Sequence, residues 1–337
     1  MELYLDSTNL AEIEKAFEFG FIDGLTTTPT FMHRDGITDI DATILKLAKL
    51  VPVLQVEALG KTASEIEAEA HRLLALGLDK ATTVFKIPIS LEGATACKRL
   101  TNQGMLVNMH LVYTLQQAYI ALSAGATYVC PLVGRLQDQG QDALQLVQQC
   151  VDAVKQYQYP SKIMFSSVRH PEHVRNALNI GVHACTIPWK VLQHLASNHF
   201  TDIGTKQFFE HTRLMTLKVR EVMRHQNTTI SINQTIMDAL VRMTTSKLGA
   251  ITLINRDGKI HGVFTDGDLR RLLEKEGEGV LKKTLEQLPF GTPKSIAMEA
   301  TLMEASQVFK THKVDTLVVM NGDQAVGMLD IQDLLEF

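Results

Sequence analysis

No apolar run in this sequence approaches the roughly 18 residues that a membrane-spanning helix needs, so a helical membrane protein is excluded. The acidic opening, Met1-Glu2-Leu3-Tyr4-Leu5-Asp6, lacks the basic n-region of a signal peptide, and a cytoplasmic location is expected. Cysteines are few: Cys97, Cys130, Cys150 and Cys185 are widely spaced with no C-x-x-C, which fits reduced, buried thiols better than a disulfide framework or a zinc site. Basic excess is missing as well, because a net charge of -4 and a pI near 6.3 leave no electrostatic footprint for nucleic acid. What remains, 45% hydrophobic and 21% charged over 337 residues, is ordinary soluble composition with room for roughly two domains.

From Met1 to about residue 200 short apolar runs alternate with amphipathic helical stretches. The runs are Leu3–Asp6, Gly24–Thr27, Val53–Val56, Thr83–Ser90, Leu106–Leu111, Thr127–Cys130, Lys162–Ser167 and Ala184–Pro188. Eight strand–helix units of this kind close a (β/α)8 TIM barrel. The doubly wound open sheet is the competing α/β architecture, but no G-x-G-x-x-G follows the first strand.

Within the fourth run, Thr83-Val84-Phe85-Lys86-Ile87-Pro88, a single lysine interrupts a buried, β-branched strand. Two readings are open for such a residue. Its stem packs while its head reaches solvent, or it is buried as a neutral amine able to attack a carbonyl. The barrel decides between them, because active groups gather at the carboxyl ends of barrel strands. Asp6, Thr26 to Thr28, Gln55, Glu57, Lys86, His110, Arg135, Ser167 and Arg169 all fall at or just after such ends. A Schiff-base lysine ringed by an acid, an amide and a histidine, with arginines and a serine for an anion, suits a phosphorylated carbonyl substrate.

The motifs Glu2-Leu3-Tyr4-Leu5-Asp6-Ser7, Gly24-Leu25-Thr26-Thr27-Thr28-Pro29-Thr30, Phe85-Lys86-Ile87-Pro88 and Ser166-Ser167-Val168-Arg169 resemble the small transaldolase and fructose-6-phosphate aldolase family, in order and on the expected strands. The resemblance implies class I chemistry without metal or cofactor, with Lys86 as the Schiff-base lysine. It implies that Asp6 handles substrate hydroxyls and proton transfer, that Gln55 holds the catalytic water, and that Thr26 and Thr28 lie on the substrate. It also implies that Arg135, Ser167 and Arg169 grip the phosphate. Three departures stand out: Thr28 replaces the family asparagine, His110 a threonine, and Leu132 a tyrosine that acts as acid and base. Either His110 has taken over proton transfer, or it shapes the pocket for a changed substrate. A barrel reduced to sensing sugar phosphates is the alternative to an enzyme. His170 and His173, three apart, are read as a helix entry in preference to metal ligands.

After residue 213 the alternation stops and a two-copy repeat begins, at about 220–276 and 284–337. Gly249–Ile254, the Asp257-Gly258 turn and Gly262–Leu269 are answered by Asp315–Met320, the Asn321-Gly322 turn and Gly327–Leu334. The pair resembles a CBS (Bateman) module, giving an α+β second domain over 214–337. The resemblance implies that Thr265 and Asp268 bind a nucleotide or nucleotide-sugar effector, while Asp330 stands where the second copy should carry a hydroxyl and would repel a phosphate. The wording Gly262–Arg271 is similar to the CBS pairs of arabinose 5-phosphate isomerases, which implies regulation within bacterial surface-sugar biosynthesis. Such modules also associate, so a homo-oligomer is expected.

Overall fold

The structure, a computed structural model, describes residues 1–334, and two compact units divide the chain between Ser197 and Asn198. The expected boundary after residue 213 falls inside the helix His199–Thr216, which belongs to the second unit. Residues 335–337, the end of the expected second CBS copy, lie outside the described residues. No helix among the described residues is long and apolar enough to cross a membrane.

Eight parallel strands close the first unit into a barrel in chain order: β1 Glu2–Asp6, β2 Gly24–Thr26, β3 Leu54–Glu57, β4 Thr83–Pro88, β5 Leu106–Val112, β6 Tyr128–Pro131, β7 Lys162–Phe165 and β8 Ala184–Ile187. Strand β8 returns to β1, with Glu2 opposite Ala184 and Leu5 opposite Ile187, so no sheet edge remains to be protected. Alternation along each strand sorts the side chains. Leu5, Leu25, Val56, Phe85, Ile87 and Phe165 face outward into the layer shared with the helices, while Tyr4, Val84, Tyr128, Met164 and Ala184 fill the barrel interior. The helices begin where side chains satisfy their first amides, as at Asn9, Thr62, Ser90 and Thr114.

The interior is graded in polarity. At the amino end of the strands the hydroxyls of Tyr4 and Tyr128 lie 2.9 Å apart, Tyr128 donates to Glu2 at 2.8 Å, and Glu2 also pairs with Lys162. Gly24 is needed beside this plug, because a Cβ there would stand 2.5 Å from the Tyr4 ring. Midway up, the buried Asn108 amide donates to Gln55 Oε1 at 2.7 Å. The carboxyl ends carry Asp6, Glu57, Lys86 and His110. Polar groups at the amino end and middle are therefore bonded to one another, while those at the carboxyl end face an open cavity.

The second unit contains two copies of strand, helix and hairpin, followed by the helix Asp266–Glu276 in the first and by the 3-10 turn Ile331–Leu334 in the second. The first copy holds β9 Thr229–Ser231, β10 Ala250–Ile254 and β11 Ile260–Thr265; the second holds β12 Ser295–Ala297, β13 Thr316–Asn321 and β14 Gln324–Asp330. In each sheet the middle strand pairs parallel with the first and antiparallel with the last. Gly258 and Gly322, at φ +75° and +56°, make the hairpin turns in the left-handed conformation that glycine adopts at little cost.

Candidate active site

A cavity of about 530 Å³ opens at the carboxyl ends of the barrel strands. Asp6, Thr26, Thr28, Lys86, His110, Arg135, Ser167 and Arg169 all line it, with Leu132 at the position that the family resemblance gives to tyrosine. Gln55 does not line it. It is wholly buried one inward step below Glu57, about 6–7 Å back along the strand, with its Oε1 engaged by Asn108. Glu57, not Gln55, forms the wall beside the lysine.

Lys86 lies inside the barrel at 5% exposure. It is not the isolated amine that an apolar strand suggests. Its Nζ stands 3.0 Å from Glu57 Oε1 and donates to the Thr27 carbonyl at 2.6 Å. Glu57 is opposite Lys86 in the β3–β4 register, so adjacent strand ends place the two groups together without any loop. The second carboxylate oxygen, Oε2, lies 2.9 Å from His110 Nε2 on β5. Burial pushes the Glu57 carboxyl up, but Lys86 and His110 outweigh it and leave the group below its ordinary value. For His110 burial dominates and lowers the pKa; Glu57 opposes this, and Lys86 and Arg135 reinforce it. The ring is consequently neutral over more of the physiological range than a free histidine.

Asp6, across the floor, responds in the opposite sense. Burial raises its pKa, while Lys86 and the Thr26 hydroxyl, which donates to Asp6 Oδ1 at 2.8 Å, pull it back. Thr26 is in turn bonded to Thr186, so the acid rests on a chain of hydroxyls. Thr28 serves as the N-cap of the helix Pro29–Arg34, its oxygen accepting from the Phe31 amide at 3.2 Å. Arg34, at the end of that helix, also lines the cavity and pairs with Asp35 at 2.8 Å; no strand-end pattern in the sequence marks it.

The cationic rim comes from the short helix Val133–Gln137 after β6 and from the loop after β7. Ser167 has φ +59°, and a Cβ on Gly134 would fall 1.9 Å from the Ser167 carbonyl oxygen. Only glycine permits that approach. The side chain of Arg135 follows Gly134 at the mouth, with Nη1 donating to Tyr113 Oη at 3.1 Å. The Arg169 backbone N–H donates to His173 Nδ1 at 3.2 Å, and the other ring nitrogen lies 2.6 Å from Gln137 Oε1. His173 thus ties the two rim loops together with both nitrogens. Arg169 also bonds Asp138 at 2.9 Å. A second strained residue, Leu111 at φ +56°, follows His110 where the β5–β6 ladder shifts register, and the bulge aims the imidazole.

In the second unit, Thr265 and Asp268 form a capping box at the helix Asp266–Glu276. Thr265 Oγ1 donates to Asp268 Oδ2 at 2.7 Å, and Arg271 donates to Oδ1 at 2.6 Å. The second copy differs. Asp333 receives the Asp330 amide at 2.9 Å and is held by Arg224 Nη2 at 2.6 Å.

Residues 3–243 match the family described as Transaldolase/Fructose-6-phosphate aldolase, and residues 219–275 and 287–337 match the CBS domain. The chain is 37% identical over 214 residues to "Probable transaldolase 2" of Bacillus cereus, covering 62% of this chain and 96% of that one. It is 37% identical over 212 residues to "Probable transaldolase" of Desulforudis audaxviator and 38% over 208 residues to that of Maridesulfovibrio salexigens, each covering 62% of this chain and 96% of the relative.

The electrostatics of the cluster can be read on His110 in the full chain by NMR, with its signal identified by loss in His110→Asn. His110 should titrate below about 6.5, the ordinary histidine value. Glu57→Gln removes the one group that raises it and should move it lower still; Lys86→Met removes one that lowers it and should move it up. Because the folded value lies below the unfolded one, neutral His110 favours the fold above about pH 6.5, and this contribution is lost as pH falls through the folded value. A titration above the ordinary value, or a rise in Glu57→Gln, contradicts the arrangement.

Proposed function

Because the chain belongs to the transaldolase/fructose-6-phosphate aldolase family, we propose that its barrel makes or breaks a carbon–carbon bond in a ketose phosphate through an iminium on Lys86. One observation carries the reading: Lys86, the single buried lysine among the described residues, shares a cavity with the acid Asp6 and with Arg135, Ser167 and Arg169, the cationic and hydroxyl groups of one rim. The rim takes the phosphate, and the substrate's ketone reaches Nζ. The iminium nitrogen then withdraws electrons from the C3–C4 bond as it breaks. Asp6, whose raised pKa makes it a stronger base than an ordinary aspartate, takes the proton of the C4 hydroxyl. His110, held neutral, accepts and returns the proton that the family tyrosine would handle, since Leu132 has no group to do so. Thr28 offers a hydroxyl to the three-carbon end in place of an amide.

This reading is tested by incubating the protein with a panel of ketose phosphates, fructose 6-phosphate and sedoheptulose 7-phosphate included, with and without borohydride. The expected result is product formation, a reduced adduct on Lys86, and loss of both in Lys86→Met. Arg135→Ala should raise KM about 10–100-fold, the worth of one charge-assisted bond, with kcat changed little. Turnover without any adduct, or neither turnover nor adduct across the panel, overturns it, the second outcome in favour of a sugar-phosphate sensor.

For the second unit we infer one nucleotide-type effector per chain, bound at Thr265 and Asp268. The match to CBS domains supports this, as does the contrast between copies: Asp330 brings a carboxylate where a phosphate would lie, and the Asp333 side chain is buried at 8% exposure where that of Asp268 is 33% exposed. The likeness of Gly262–Arg271 to the CBS pairs of arabinose 5-phosphate isomerases extends the reading to control by a nucleotide-sugar in surface-sugar synthesis. Equilibrium dialysis with ATP, AMP and UDP-glucose should give one ligand per chain for at least one of them, lost in Asp268→Ala, with a change in turnover on binding. Two ligands per chain, or undiminished binding in Asp268→Ala, refutes the assignment.

A further inference from the structure

Glu57 is an ionisable group in contact with Lys86 to which the sequence motifs assign no function. We propose that Glu57 is a catalytic residue that takes a proton from Lys86 and gives it back, so that amine attack and loss of water both pass through its carboxyl. The inference rests on the Schiff-base reading above and goes beyond it by naming the group that makes the lysine reactive.

The geometry leaves little choice of partner. Lys86 Nζ has a carbonyl oxygen at 2.6 Å, from Thr27, and a carboxylate oxygen at 3.0 Å, from Glu57. A backbone carbonyl holds an ammonium but takes no proton from it at neutral pH. Gln55, on the same strand, is an amide whose oxygen is spent on Asn108. Asp6 is engaged with Thr26 at 2.8 Å. The Glu57 carboxyl is itself only 7% exposed, and His110 Nε2 at 2.9 Å from its second oxygen keeps it from turning away. Burial suits the role, because bulk water does not compete for the proton.

The step balances without any further reagent. The Lys86 ammonium passes one proton to the Glu57 carboxylate, and the free amine lone pair forms a bond to the ketone carbon while the carbonyl π pair moves to oxygen. Glu57 protonates that oxygen and accepts a proton from the new C–N nitrogen, giving the carbinolamine. It then donates to the hydroxyl, the C–O bond breaks, water leaves, and the nitrogen lone pair closes the iminium. Ammonium plus ketone has become protonated iminium plus water, and Glu57 ends as the carboxylate it began as.

The test uses dihydroxyacetone, a ketone with no bond to cleave, mixed with the full-length protein and quenched with borohydride at increasing times. Adduct on Lys86 is measured by mass. In Glu57→Gln the rate of adduct formation should fall about 100-fold or more, the usual worth of a positioned acid–base group. Glu57→Asp should recover part of it, and formate should accelerate Glu57→Ala by filling the vacated carboxyl position. Circular dichroism and thermal melting of each variant confirm that the fold is kept. Wild-type rates in Glu57→Gln overturn the proposal. So does a loss shared equally by Glu57→Asp and unrescued by formate, since that is the behaviour of a residue that only holds the lysine in place. A wild type that traps no adduct at any time fails the Schiff-base reading itself, and this inference with it; trapping by wild type and Glu57→Gln alike fails Glu57 alone.

Discussion

The contact between Glu57 and Lys86 is the constraint around which the barrel end is built. An ammonium and a carboxylate removed from water each lose several kcal/mol of solvation, and only close pairing recovers it. Removing one partner of such a pair costs about 3–5 kcal/mol, so neither side chain is free to vary independently. Adjacent parallel strands provide the pairing directly, because Glu57 and Lys86 are register neighbours. His110 joins from the next strand, and the three groups settle their charge together: the acid below its ordinary pKa, the imidazole also lowered.

Around this centre Asp6 and Thr26 also come from strand ends while the rim groups follow β6 and β7, and at two points beside the cavity the backbone is strained. Leu111 and Ser167 both hold left-handed conformations, at φ +56° and +59°, that cost a non-glycine residue about 1–3 kcal/mol. Each strained residue adjoins a group that faces the cavity, His110 in one case and the rim serine itself in the other. Gly134 makes room for Ser167, and His173 locks the Arg169 loop to the short helix that carries Arg135 and Gln137. The division is physically sensible. Strand ends hold Lys86 within a rigid frame, and the segments after β6 and β7 carry the cationic rim.

Much of this architecture was legible before any coordinates. Strands buried on both faces read as short apolar runs, so all eight are found at the expected places, and the polar residues interrupting them mark the open end. The hairpins of the second unit are signalled by Asp257-Gly258 and Asn321-Gly322. What escaped the sequence was depth. Gln55 and Glu57 differ by two positions and point the same way, so alternation cannot say which reaches Lys86; only the inter-strand register does. The resemblance placed the role on Gln55, and the register gives the contact to Glu57. Arg34 lies at the far end of a short helix whose sequence carries no sign that it turns back to the cavity. The helix His199–Thr216 continues the helical pattern of the barrel in sequence while falling in the second compact unit, so the pattern alone does not mark that division.

The proposed reaction requires the lysine nitrogen to bond to substrate carbon while the phosphate is held at the cationic rim. A crystal structure of the protein after borohydride reduction in fructose 6-phosphate or sedoheptulose 7-phosphate examines both ends at once. Electron density continuous from Lys86 Nζ to the substrate's second carbon, with the phosphate against Arg135 and Ser167, is the predicted result. A sugar phosphate seated in the cavity with no bond to Lys86, or bonded there with its phosphate directed away from that rim, contradicts the account.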